Sequence, residues 1–233
     1  MGDFHYVGSE LDLFAEARNW KAYLSLRIGS FLSGDVLEVG AGIGSNTELM
    51  CRQTDGRWVC LEPDPAMASQ LEESVRGSSR LRAVCGTVQA LPGQESFDTI
   101  VYIDVLEHIE DDAAEMREAA RRLRPKGRII VLSPAHSWLF TPFDASIGHF
   151  RRYDRSSLKR VSPPGLMLEQ MFYLDSCGIA ASAANQLFMK QSMPTRSQIG
   201  VWDRWIVPVS QVVDPVLGYA VGKSIVGIWR RPE

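Results

Sequence analysis

Three glycines, Gly40, Gly42 and Gly44, fall within the run VLEVGAGIGSNT (36–47). Glycines so close together let the backbone lie against a ligand without side-chain obstruction. The helix start that follows offers free N–H groups to a polar or anionic group. A dinucleotide-binding fingerprint needs its third glycine three positions after the second, whereas here it comes two positions after. Glu38 ends the strand that leads into the glycines. Glu62 ends the next strand, where a carboxylate can accept both hydroxyl protons of a ribose.

Groups able to move a proton lie further along. His136 directly follows a fifth strand-like run, GRIIVLSP (127–134). A near-neutral imidazole there can take a proton from a substrate hydroxyl or amine. The segment HFRRYDRSSLKR (149–160) interleaves cations with aromatics. Arg151 and Arg152, with Tyr153, suit a carboxylate or phosphate on a substrate. His149 is a second candidate base, with Asp144 or Tyr153 to orient it. The same segment also reads as a loop held by ion pairs to Asp144 and Asp154. Glu110, Asp111 and Asp112 read as acids at a helix N-terminus. No second histidine or carboxylate group stands at ligand spacing, so no metal site is expected. Cys51, Cys60, Cys85 and Cys177 form no C-x-x-C pair and read as free thiols.

The elements that must position these groups follow from periodicity. Apolar residues from Leu11 to Phe31 recur at three- and four-residue steps, a helical pattern closed by Gly34. Strands are expected at 36–40, 57–61, 81–86, 97–104 and 127–134, with helices over 45–55, 64–76 and 111–123 between them. This alternation predicts an α/β fold, a Rossmann-like doubly wound sheet of seven mostly parallel strands with helices on both faces. Ligands are then expected at the carboxyl ends of the strands. Residues 135–165 carry no long regular pattern and read as a lid or insertion after strand five. A strand at 166–175, a helix at 178–189, an irregular stretch containing Trp202 and Trp205, and a last strand at 223–231 complete the chain. Trp202, Trp205, Phe188 and Met189 read as core, as the wall of an apolar pocket or as a dimer surface. The expected organisation is one domain over 1–233. It has a helical cap (1–34), a core (35–134) and two substrate-side insertions (135–165 and 178–222).

Composition narrows the class. The 233 residues are 45% hydrophobic and 23% charged, which excludes a disordered or fibrous chain. The net charge of −3 lacks the basic character usual in nucleic-acid binders. No apolar run approaches the length of a membrane span. The N-terminus carries acids early and lacks an apolar core, so no signal peptide is expected.

With these motifs in hand, the sequence resembles the class I S-adenosylmethionine-dependent methyltransferase family over about residues 36–134. VLEVGAGIG matches the family's first motif, LEPDPAM its second and FDTIVYIDVLEH its fourth. The resemblance implies S-adenosylmethionine as cofactor and S-adenosylhomocysteine as product. It implies that Gly40, Ala41, Gly42 and Gly44 line the methionine part, with Glu38 orienting its ammonium side. Glu62 would hold the ribose hydroxyls, Pro63 and Met67 would pack near the adenine, and Ile103, Asp104 and His108 would lie beside the cofactor. Thr87 stands where many relatives carry an aspartate that contacts the adenine, with the Val88 backbone beside it. His5, Tyr6, Trp20 and Tyr23 are expected to close over the cofactor.

The expected reaction is in-line methyl transfer to a small-molecule acceptor, on oxygen or nitrogen rather than carbon, with histidine-assisted deprotonation. The acceptor class includes anions and excludes nucleic acid. No stable membrane insertion is expected, and the chain reads as a cytoplasmic monomer or homodimer. Two other readings stay open. One is a methyltransferase-like subunit that binds cofactor and activates a partner, separated by the absence of turnover. The other is a nicotinamide-dependent oxidoreductase, separated by binding of NAD.

Overall fold

The computed structural model describes residues 11–184 and 195–233. His5, Tyr6, Phe188 and Met189 lie outside the described residues. Seven strands form one sheet: β1 (Val36–Val39), β2 (Trp58–Glu62), β3 (Leu81–Cys85), β4 (Phe97–Ile103), β5 (Leu123–Pro134), β6 (Met167–Leu174) and β7 (Ser224–Arg230). Their order is β3-β2-β1-β4-β5-β7-β6. The first five pair in parallel; β7 runs antiparallel to β5 and to β6. Strand β5 begins four residues earlier than the sequence pattern suggested, because Leu123 pairs with Phe97 across a register shift.

Successive side chains of the buried strands point to opposite faces of the sheet and divide the core in two. Val36, Trp58, Val101, Ile103, Ile130 and Ile228 point to one face. There they meet residues of α2 (Arg18–Ile28), α4 (Pro65–Val75) and α9 (Arg196–Val201). Leu37, Val59, Ile100, Tyr102, Val131 and Trp229 point to the other. They meet Met116 and Ala119 of α5 (Asp112–Arg121) and Leu158 of α7 (Arg155–Arg160). The N-terminal helical pattern breaks at Glu16–Ala17, leaving a short α1 (Leu11–Ala15) ahead of α2. The predicted 45–55 helix is a single turn, α3 (Thr47–Met50), followed by a 3-10 turn.

Residues 135–165 contain α6 (Pro142–Ser146) and α7, both with capping boxes. The His136 and Tyr153 backbones bond each other alongside the end of β5. After β6 comes α8 (Ser176–Ala184). The stretch around Trp202, expected to be irregular, is helical from Arg196 to Val216. It comprises α9, a π-helical turn (Trp202–Ile206) and α10 (Val207–Val216).

That helix inverts the usual pattern. Asp203, Ser210 and Asp214 are buried, while Val201, Trp205, Val209, Val212 and Val216 are exposed, Val216 at 82%. The buried acids serve other elements. Asp203 accepts from the N–H groups of Asn19 (3.2 Å) and Trp20 (2.9 Å), capping α2, which has no side-chain cap of its own. Asp214 accepts from the Tyr23 hydroxyl (2.8 Å) and from the N–H groups of Asp175 (2.8 Å) and Ser176 (2.9 Å), at the start of α8. Replacing Asp214 by alanine strands three buried donors at about 1–3 kcal/mol each. Denaturant titration is expected to show a loss of at least about 3 kcal/mol. The exposed Val212→Thr change should stay within about 0.5 kcal/mol.

Candidate active site

The connections after β1 and β4 open a crevice at the carboxyl ends of the parallel strands, the ligand site of such sheets. A cleft of about 630 Å³ lies there, lined by residues of the β1, β2 and β4 ends, α6, α8, α9 and the start of β7. Its floor is the loop after β1. Gly40 has φ +66°, and a Cβ there would lie 2.6 Å from a methyl of Val105. Gly42 has φ +57°, and the space where its Cβ would stand is open apart from Leu11 at 3.9 Å. The loop is pinned to β2: the Ala41 N–H donates to the Leu61 carbonyl (2.8 Å) and the Gly42 N–H to Glu62 Oε2 (2.8 Å).

Glu62 is buried at the cleft wall. Its other oxygen accepts from the Asp64 N–H at 2.9 Å. Each carboxylate oxygen therefore keeps a lone pair for a ligand hydroxyl. Burial pushes its pKa up, opposed by those two backbone donors. Pro63, Met67, Ile103, Asp104 and His108 also line the cleft. Asp104 opens onto it with φ +53°, and enclosure by the walls raises its pKa. Gly40, Ala41, Gly42 and Glu62 are thus brought together with these five residues.

Four residues predicted to contact the cofactor stand elsewhere. Glu38 lies beneath the loop, not in the cleft, and accepts from Thr47 Oγ1 and Trp58 Nε1, both at 2.7 Å. Strand alternation aims it into the core, where burial raises its pKa. Gly44 turns away from the cleft toward Leu71 of α4. Thr87 is exposed, its hydroxyl donating to Gln89 Oε1 (2.7 Å), and Val88, whose backbone was the expected contact, does not line the cleft.

The second half of the site centres on Asp144, buried in α6. Its carboxylate accepts from Arg152 Nε (2.8 Å) and Nη2 (2.9 Å), from the Thr141 hydroxyl (2.8 Å) and from His149 Nδ1 (3.0 Å). Burial alone would raise its pKa. The bonds from His149 and Arg152 outweigh that and hold it well below the usual carboxylate range. An ionised Asp144 only accepts, so His149 Nδ1 carries a proton and donates it to this bond. Nε2 lies 3.9 Å from Glu107 Oε1. The His108 and His149 rings meet edge to face at 4.4 Å. Burial and then the neighbouring His149 lower the His108 pKa to about 4, keeping it neutral.

Three other predicted residues leave the site. His136 is stacked on Tyr173 (5.1 Å) with Nε2 3.1 Å from the Gly222 carbonyl, outside the cleft lining. Tyr153 is buried behind the site, its hydroxyl donating to Asp112 (2.6 Å); burial raises its pKa. Arg151 is engaged by Asp112 and the Glu110 carbonyl and does not line the cleft. Arg152 does line it, with its guanidinium already held by Asp144.

Several cleft residues had no sequence signal of their own. Glu107 is fully buried and lines the cleft. Burial and then repulsion from Asp104 raise its pKa well above the usual range. Lys223, just before β7, sits over the Trp202 ring at 4.8 Å, and burial lowers its pKa. Leu11 and Phe14 close one side of the cleft together with Trp20, which was expected there; Tyr23, also expected there, is instead bonded to Asp214.

Residues 37–131 match the family described as a methyltransferase domain. Over those residues the chain is similar to a methyltransferase domain. It is 31% identical over 152 residues to the ubiquinone biosynthesis O-methyltransferase of Xanthomonas oryzae pv. oryzae, a match covering 56% of this chain. That match covers 62% of the relative, so the chain spans under two thirds of the length of the curated relatives it matches first. Two solved structures share the fold of the domain. The N-methyltransferase NodS of Bradyrhizobium japonicum, in complex with S-adenosyl-L-homocysteine, superposes with a TM-score of 0.59. It is 15% identical, over 96% of this chain and 91% of that one. The [4+2]-cyclase SpnF superposes with a TM-score of 0.61. It is 18% identical, over 97% and 96% of the two chains.

Asp144 generates a stability prediction. Its lowered pKa means that its stabilisation is present above the unfolded-state value, about pH 4, and is lost as pH falls below it. At neutral pH, Asp144→Asn is expected to cost about 3 kcal/mol, because it leaves Arg152 and His149 without their charged partner. Denaturant titrations from pH 7 to pH 3 should show the gap between wild type and variant narrowing with acid.

Proposed function

We propose that this protein transfers a methyl group from S-adenosylmethionine to an oxygen or nitrogen of a small-molecule acceptor. The observation that carries the reading is Glu62. It is a buried carboxylate fixed by the Gly42 and Asp64 N–H groups, with lone pairs left toward the cleft, beside a glycine whose missing side chain leaves room. A ribose diol fits that acceptor pair, and the cleft suits a cofactor-sized ligand.

Gly40 to Gly42 would lie against the methionine part, Pro63 and Met67 against the adenine, and Ile103 and Asp104 beside the cofactor. When bound, the cofactor supplies a methyl group on a sulfonium, a good leaving group. The protein then has to align the acceptor and exclude water, which can supply much of the rate. No nucleophilic triad is required.

His149 is the proposed proton acceptor. Asp144 holds its Nδ1, which leaves Nε2 to take the proton, and the residue lines the cleft. The acceptor hydroxyl or amine gives its proton to Nε2 as the new bond to carbon forms, and Asp144 stabilises the resulting imidazolium. The named activity of the Xanthomonas relative supports oxygen as the acceptor atom, and that of NodS supports nitrogen.

Two measurements test this. Calorimetric titration should show micromolar binding of S-adenosylhomocysteine and none of NAD. Glu62→Ala should weaken that binding by about 3 kcal/mol, since two charge-assisted bonds are lost. An unchanged affinity removes the ribose role. Screening hydroxylated and amino compounds for release of S-adenosylhomocysteine supplies an acceptor. With it, His149→Gln should lower turnover by about 10²–10⁴-fold and leave affinity for S-adenosylhomocysteine unaltered. Full activity in that variant would rule His149 out as the base.

A further inference from the structure

A proton-accepting His149 has no need of Glu107, yet Glu107 is the most enclosed acid at the cleft. Its side chain leaves the 3-10 turn Leu106–His108, directly after β4, and is fully buried. Oε2 accepts from Ser133 Oγ at 2.9 Å. Among the described residues Oε1 is buried without a hydrogen-bond partner, and it lies 3.9 Å from His149 Nε2, too far for a hydrogen bond. A ring nitrogen of His108 completes the group, and one donor atom from each residue lies within 4.8 Å of the others.

We propose that Glu107, His108 and His149 bind one divalent transition-metal ion of the Zn²⁺ or Mn²⁺ kind. Two imidazoles and one carboxylate are borderline donors suited to such ions, and three protein ligands leave a position open, as in catalytic rather than structural sites. Metal–ligand bonds of about 2.1 Å can span the 3.9 Å between Nε2 and Oε1 at a wide angle. Each ligand also has an outer partner. Asp144 holds His149 Nδ1 (3.0 Å), Ser133 holds Glu107 Oε2 (2.9 Å), and the Gly148 backbone holds His108. Such outer contacts orient metal ligands.

All three residues line the cleft, so the open position faces the space the acceptor would take. The consequence for catalysis rests on the methyltransferase reading. The ion occupies the Nε2 lone pair and replaces His149 as the agent of deprotonation. The O–H bond of a coordinated acceptor hydroxyl breaks, its proton leaves to water, and the oxygen keeps the electron pair for attack on the methyl carbon.

The test is direct binding. Full-length protein stripped with EDTA is titrated with MnCl₂ and with ZnCl₂ by calorimetry, and free Mn²⁺ is followed by electron paramagnetic resonance. The expected result is one ion per chain. Glu107→Gln should bind at least about 100-fold more weakly, and Asp144→Asn about 10–100-fold more weakly. The surface change Glu118→Gln should bind as wild type. Circular dichroism and S-adenosylhomocysteine binding identify a variant that has merely unfolded, and His149→Ala then serves in its place. Wild-type protein that takes up neither ion, or a folded Glu107→Gln that binds as tightly as wild type, overturns the site. Tight S-adenosylhomocysteine binding without ion uptake would sink the metal site alone. Ion uptake without S-adenosylhomocysteine binding would sink the methyltransferase reading instead.

Discussion

The approach of the Gly40 backbone to the Val105 side chain sets the width of everything above it. The two residues sit at the ends of adjacent strands, β1 and β4, whose connections part there. A Cβ at position 40 would collide with Val105, and φ +66° disfavours any side chain independently. The loop can therefore lie flat across the sheet end, where its next two N–H groups reach Leu61 and Glu62. A backbone this close to the strand ends leaves the cleft floor shallow and places the Glu62 carboxylate at its wall.

Five acids gather around the same sheet end, and each is managed differently. Glu38 is buried against two neutral donors and braces the loop from below. Glu62 is held by two backbone N–H groups. Asp144 is neutralised by a bidentate guanidinium. Asp104 opens onto the cleft, and Glu107 keeps one oxygen unanswered. A buried charge is tolerable only when paired or hydrogen-bonded, so the incomplete partnership at Glu107 is the one that points to something besides protein.

Much of this was legible in the sequence, and the parts that were not share a cause. The strands from 36 to 134 follow local apolar runs, and the glycine motif is contiguous, so both could be read directly. Glu38 was misplaced because a motif gives neighbours in sequence, while strand alternation decides which face a side chain takes. Tyr153 and His149 stand four residues apart in one loop, yet one is packed behind β5 and the other lines the cleft. Nothing in the spacing of HFRRYDR separates them. The Glu107–His108–His149 group was invisible for a simpler reason. Forty-one residues separate His108 from His149, and only the fold of α6 closes that gap. The helix from Arg196 to Val216 was read as irregular because Asp203, Ser210 and Asp214 face inward while Val201, Val209, Val212 and Val216 face outward, which blurs the pattern that marks a surface helix.

That helix is secured differently from the sheet beneath it. Apolar burial holds the strands, and its driving force fades on cooling as water hydrates hydrocarbon more readily. The 203–216 segment buries Val207 in the core and adds polar ties to α2 and α8 through Asp203, Ser210 and Asp214, whose bonds do not weaken in that way. Trp205, Val209, Val212 and Val216 are already in water, so its release does not newly expose them. One wall of the cleft is therefore held in part by contacts whose strength does not follow that of the hydrophobic core as temperature changes.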